Sequence, residues 1–211
     1  MNKALHFIPT VSKMFRYILC LLFMAFFSSA ASAQLPDTAT LTKQKIFISL
    51  DEALLNPSEV YRLDLSKQHL EQIPAGVFML ANLQEMNLSH NKIKSIPCEI
   101  KSLKNLRIID LSSNKLITLP AEIGTLTYLQ KLYLKHNKIS TLPIEMALLI
   151  SLSELDLWGN RIIRFPAQMA SLRNTLKKID MRGITIKTPQ RNAITDLLPD
   201  TDIYFTGCNC N

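Results

Sequence analysis

The stretch LQKLYLKHNKISTLPIEMALL, Leu129 to Leu149, governs the reading of the whole chain. Its apolar residues follow two periods in succession. Leu132 and Leu134 alternate with polar neighbours, the period of a short strand with one buried face. Beyond Pro143, Met146 and Leu149 are spaced as in a helical or 3₁₀ return segment that starts behind a proline. Between these two patterns stand Lys135, His136 and Asn137, residue types capable of acid–base or metal chemistry. Whether they form a site depends on whether they face the same way.

The same pattern recurs from Val60, Leu83, Leu106 and Leu152 at a step of 23 residues. In the third unit it reads Leu106, Ile109, Leu111, Leu116, Leu119, Pro120, Ile123 and Leu126. The position eight residues after the start of each unit is Gln68, Asn91, Asn114, Asn137 and Asn160 in turn. A sixth, degenerate unit begins at Leu176 after a step of 24 residues, with one residue inserted near Arg173 and Asn174, and has Ile184 at that position. One such unit cannot bury its own apolar edge. Stacked units can, and their strands then pair in parallel, one rung per repeat. The asparagine falls where the chain turns inward, so its amide is expected to bond to backbone of its own and the neighbouring turn. Asn91, Asn114, Asn137 and Asn160 would form a structural ladder, and Ile184 would belong to a cap. Tyr133, Lys135 and His136 then face outward while Asn137 faces inward.

Five units in register resemble the leucine-rich repeat family, whose pattern is LxxLxLxxNxLxxLPxxIxxL. The LPxxI ending resembles the Ras-suppressor-like subgroup and the short secreted leucine-rich repeat proteins of bacteria. The resemblance implies an α/β fold: a right-handed leucine-rich repeat solenoid, or horseshoe, with a parallel concave sheet, short helical or 3₁₀ convex segments, and helical caps at both ends. The expected organisation is a signal peptide over 1–33, a flexible linker over 34–48, a helical cap over 49–59, repeats over 60–186, a C-terminal cap over 187–206 and a tail over 207–211. Ser49-Leu50-Asp51-Glu52 reads as a capping box that opens the first cap. Residues 189–198 read as a helix and Asp202 to Phe205 as a last edge strand.

The N-terminus has its own logic. Lys3, Lys13 and Arg16 precede an uninterrupted apolar run from Tyr17 to Phe27, and small residues follow up to Ala31-Ser32-Ala33. This is the layout of a secretory signal peptide cleaved before Gln34, and the run is too short for a membrane span. Translation could equally start at Met14. The expected destination is export to the periplasm, the cell surface or the medium, in a bacterium because the caps lack paired cysteine clusters. Removal of the leader leaves 21 Lys and Arg against 17 Asp and Glu, an ordinary surface charge with no basic run in the sequence. Nucleic-acid binding is not expected on that ground. The mature chain is expected to be a monomer without a membrane span.

On the expected concave face the outward residues of the first three strands are mostly small and polar, whereas the last three present Tyr133, Lys135, His136, Asp156, Trp158 and Arg182. Trp, Tyr and Arg are the types that most often carry binding energy, so these six are the candidate protein-binding residues, for a partner not yet identified. An alternative has Trp158 simply stacking on Lys135 and Arg182. No catalytic residue, cofactor or metal site is expected. His90 and His136 stand two repeats apart, about 10 Å at strand spacing, too far for one zinc ion. Ser113 beside His90 lacks an orienting partner and a pocket. Cys98 is expected to be a small packed residue, and the pairing of Cys208 and Cys210 is left open. The reading is a non-enzymatic binding module for proteins, with carbohydrate or cell-wall binding, or a structural spacer, as alternatives.

Overall fold

The computed structural model describes residues 38–206. The leader expected over 1–33 and the tail with Cys208 and Cys210 lie outside the described residues. In chain order the elements are helix α1 (Thr38–Leu41), β1 (Ile46–Phe47), helix α2 (Leu50–Ala53), β2 (Arg62–Asp64), β3 (Glu85–Asn87), β4 (Ile108–Asp110), β5 (Lys131–Tyr133), β6 (Glu154–Asp156), β7 (Lys178–Met181), helix α3 (Thr188–Leu197) and β8 (Asp202–Phe205). Each return from β2 to β7 contains one 3₁₀ helix: Ala75–Met79, Cys98–Ser102, Ala121–Thr125, Ile144–Leu148 and Ala167–Leu172. Where a linker is expected over 34–48, the described part carries α1 and β1, and β1 adds a rung to the sheet by pairing Ile46 with Arg62.

All the strands form one parallel sheet in strict chain order, β1 to β8. The register repeats the sequence period: Arg62 lies beside Glu85, Ile108, Lys131 and Glu154 in succession. At the sixth unit Glu154 pairs with Lys178, which absorbs the inserted residue. The insertion lengthens the last 3₁₀ helix to six residues, and Leu176 then donates its N–H to Leu172. Each strand from β2 to β6 buries its middle residue and leaves the two flanking ones half-buried. Parallel sheets are usually covered on both faces. Here the strands are so short that one buried side chain per strand, with the apolar residues of the return, closes the core.

Each repeat proline supplies a carbonyl where it has no N–H to give. Pro74, Pro97, Pro120, Pro143 and Pro166 accept from the N–H of Val77, Ile100, Ile123, Met146 and Met169, all at 3.0–3.2 Å, which closes the first 3₁₀ turn. The residue just after the proline points outward as a result. That corrects the reading of Cys98, which is exposed with its equivalents Ala75, Ala121, Ile144 and Ala167, because the inward places on this turn go to the residues three and six beyond the proline.

The asparagine ladder is present. The Asn114 Nδ2 donates to the carbonyls of Leu88 (2.9 Å), one turn back, and of Leu111 (3.0 Å) and Ser112 (3.3 Å) on its own turn. Its Oδ1 accepts from the N–H of Ile93 at 2.9 Å. Asn91, Asn137 and Asn160 repeat the arrangement toward Leu65, Leu111 and Leu134. Gln68 occupies the first rung and reaches back with its longer amide to the Ile48 carbonyl at 3.0 Å. At the last rung Ile184 is buried without a polar group, and α3 replaces the 3₁₀ return as a cap against which β8 completes the sheet.

Asn114→Ala is expected to destabilise the fold by about 1–3 kcal/mol, because the Ile93 N–H loses its partner and the Leu88 and Leu111 carbonyls each lose one of two. Gln68→Ala, at an exposed rung, is expected to cost less. Denaturant titration of the two variants checks the order.

Candidate functional site

A third row of side chains, not expected from the sequence, closes each strand. Asp64, Asn87, Asp110, Asp156 and Asp180 each accept with Oδ1 from the backbone N–H two residues on, those of Ser66, Ser89, Ser112, Trp158 and Arg182, at 2.8–3.0 Å. These are side-chain turns that end the strand. The next residue takes a left-handed conformation in every one of these turns and in the uncapped turn after Tyr133: Lys67, His90, Ser113 and His136 have φ between 54° and 59°, and Gly159 and Gly183 have φ 68° and 71°. The two glycines at one repeat offset were the signal for this turn. Asp156 thus holds the strand end in place, and through its bond to the Trp158 N–H it positions that residue. Burial pushes the Asp156 carboxyl up, and the nearby Asp180 and Asp110 add to the rise against the Trp158 N–H.

Against this background the fourth repeat departs from the rule. Tyr133 stands where its counterparts carry Asp or Asn, and its hydroxyl instead donates to Glu154 at 3.1 Å. Two places further on, Ser66, Ser89 and Ser112 give way to Lys135, Trp158 and Arg182. The serines Ser89 and Ser112 are buried, whereas Trp158 is 38% exposed. Its ring lies 5.0 Å from the His136 ring, tilted at 45°, and the Arg182 guanidinium sits 5.2 Å from its centroid on a neighbouring rung. His136, not the expected Lys135, is thus the second packing partner. Asp180 fixes Arg182 with bonds of 2.6 to 3.1 Å. Burial pushes the Asp180 carboxyl up, but the Arg182 side chain and N–H outweigh it and hold it below the usual range.

The stack needs its glycines. A Cβ on Gly183 would meet the Trp158 Cδ1 and Nε1 at 2.8 Å, and one on Gly159 would meet the His136 Nδ1 at 2.7 Å. Trp158 therefore lies across the backbone of the next rung. His136, Trp158 and Arg182 form one surface cluster, with Lys135 half-buried on the same strand end and Tyr133 turned to Glu154. A depression of 360 Å³ between Ile163, Arg164, Phe165 and α3 includes none of them. The candidate site is a surface, not a pocket, and suits contact rather than enclosure of a small molecule.

A model of the leucine rich repeat family matches residues 58–116 and 104–162. The chain is a leucine-rich repeat protein. Among solved structures it is similar to the leucine-rich repeat protein LIC12759 of Leptospira interrogans, at 32% identity and a TM-score of 0.61, over 77% of this chain and 48% of that one. It is also similar to the leucine-rich repeat ectodomain of the plant membrane receptor kinase GASSHO1/SCHENGEN3 from Arabidopsis thaliana, solved in complex with CASPARIAN STRIP INTEGRITY FACTOR 2. That likeness has 30% identity and a TM-score of 0.59, over 72% of this chain and 18% of that one. This leucine-rich repeat protein thus spans less than half the length of either chain. No curated protein sequence matches it.

Two measurements follow from the cluster and from Tyr133. Trp158 is the chain's one tryptophan, so Gly183→Ala is expected to shift its emission and raise its quenching by acrylamide, while unfolding stays cooperative. Burial, with Glu154 beside it, pushes the Tyr133 phenol up to about 12. Its neutral form is favoured by folding, so that contribution is complete below pH about 10 and is lost as pH rises through the folded value. Absorbance titration should show a last phenolate step that Tyr133→Phe removes.

Proposed function

We propose that this leucine-rich repeat protein is an exported, non-enzymatic binding module that recognises a protein partner through a band on its concave face. The observation that carries the reading is the break in two structural rows. Where most other rungs carry a capping Asp or Asn and a small serine, this face carries Tyr133 at the first position and Lys135, Trp158 and Arg182 at the second. Trp158 and Arg182 pack on each other at the surface rather than in the core, and residues that break a local structural rule are expected at functional positions. Trp158 is also held in place before any partner arrives, by His136, Arg182 and the flat backbone at Gly183, which lowers the ordering cost of association.

The binding residues in this proposal are Tyr133, Lys135, His136, Trp158 and Arg182, with Asp156 positioning Trp158. The family supports a binding role, and the similar plant ectodomain was solved with a bound partner. Export is supported by the basic, apolar and small-residue succession of residues 1–33. Among the described residues no helix is long and apolar enough to cross a membrane. The open surface offers no enclosed place for chemistry.

The test compares quantitative capture from surface extracts by the wild type and by Trp158→Ala, Tyr133→Ala and Tyr128→Ala, the last an exposed tyrosine outside the band. A single protein is expected to be retained by the wild type and by Tyr128→Ala. Its affinity should fall by about 30-fold or more in the other two, the scale of a binding hot spot, with cooperative unfolding retained. Retention of that protein by Trp158→Ala and Tyr133→Ala, or loss of a glycan in its place, would overturn the reading.

A further inference from the structure

The sequence holds no run of basic residues, yet the fold assembles one. The residue after each ladder position is His69, Lys92, Lys115, Lys138 and Arg161, and all five are exposed. They lie 23 residues apart in the chain and one rung apart in space, about 4.8 Å at strand spacing. Their backbone is fixed in register. The N–H groups of Lys92, Lys115, Lys138 and Arg161 donate to the carbonyls of Leu70, Ile93, Leu116 and Ile139 on the preceding turn, at 2.7–2.8 Å. The side chains therefore form a straight rim where the strands end, beside the band of Trp158.

The charge on this rim is not answered within the fold. At the start of the strands the signs alternate and pair, Arg62 with Glu85 at 2.7 Å and Glu154 with Lys178 at 3.1 Å. Among the described residues Lys92, Lys115, Lys138 and Arg161 make no ion pair. Glu71 faces the row at its first end. Its carboxyl is held below the ordinary range first by its own ion pair with Lys94, then by Lys115 and Lys92.

We infer that the partner lays an extended acidic segment along this rim, its carboxylates facing Lys92, Lys115, Lys138 and Arg161, while a neighbouring part of it covers Trp158. The inference rests on the proposed concave-face binding and names the chemistry of the partner. From Lys92 to Arg161 the rim spans about 14 Å, the length of four or five extended residues. Width decides between polyanions. Beside the rim the sheet floor alternates Asp64, Asp110 and Asp156 with Lys135 and the Arg182–Asp180 pair, so a broad anion such as duplex DNA or a densely sulfated glycan meets carboxylates there and no continuous positive face. A single peptide strand confined to the rim avoids them.

The probe is a fluorescein-labelled octaglutamate, followed by anisotropy with the full chain at low salt. Binding is expected, weakened about tenfold or more by raising salt severalfold, as exposed charges are screened. The triple variant Lys115→Glu, Lys138→Glu, Arg161→Glu should lose about tenfold or more as well, with cooperative unfolding retained because these exposed side chains make no ion pair among the described residues. Lys101→Glu with Lys104→Glu, on the returns, should bind as the wild type does. Absence of binding, equal binding by the triple variant, or tighter binding of duplex DNA or dextran sulfate would overturn the inference. Trp158→Ala should leave octaglutamate binding intact, so failure of the band and failure of the rim are read by different variants.

Discussion

The amide of each buried asparagine holds two turns of chain at once, and the regularity of the rest follows from it. A short strand that ends in a tight left-handed turn leaves several carbonyls and N–H groups facing the core, where an unmade hydrogen bond costs most. One Asn side chain has two donors and an acceptor at the reach required, and Asn91, Asn114, Asn137 and Asn160 spend them across the gap between rungs. Because the bonds run to the previous turn, each repeat fixes the height of the next. Strand register, the strand-end carboxylates and the basic rim all inherit that spacing.

This constraint also gives meaning to individual departures. A side chain on an irregular surface has no reference. Here every outward position has four or five counterparts, so Tyr133 in a row of Asp and Asn, or Trp158 in a row begun by serines, stands out against a rule with a known purpose. The same comparison gives Asp156 its place: it follows the rule, and its Oδ1 accepts from the Trp158 N–H. The band works by combining residues that break the pattern with glycines, Gly159 and Gly183, that the pattern itself demands.

Much of the fold was legible because a single 23-residue period encodes it. The leucines of Leu129 to Leu149 specify strand, turn and return, and the ladder asparagines sit at one offset. What escaped were features whose cause is a backbone turn rather than a side-chain period. The left-handed residue is Lys, His or Ser in four repeats and Gly in two, so composition hides it. The outward position of Cys98 depends on how the 3₁₀ turn closes on the proline carbonyl. The strand at Ile46–Phe47 is two residues long and forms because β2 offers an unpaired edge, a reason that lies outside its own sequence.

The sequence by itself determined the repeat, the parallel order of its strands and which side chains fill the core, since period and hydrophobicity are local properties of the chain. Only the tertiary structure decided which surface residues meet. The contact of His136 with Trp158 and of Trp158 with Arg182 joins side chains more than 20 residues apart, and it exists because the asparagine ladder sets their rungs side by side. The basic rim has the same origin: four charges, Lys92, Lys115, Lys138 and Arg161, that never adjoin in the chain become a line once each turn is stacked on the last.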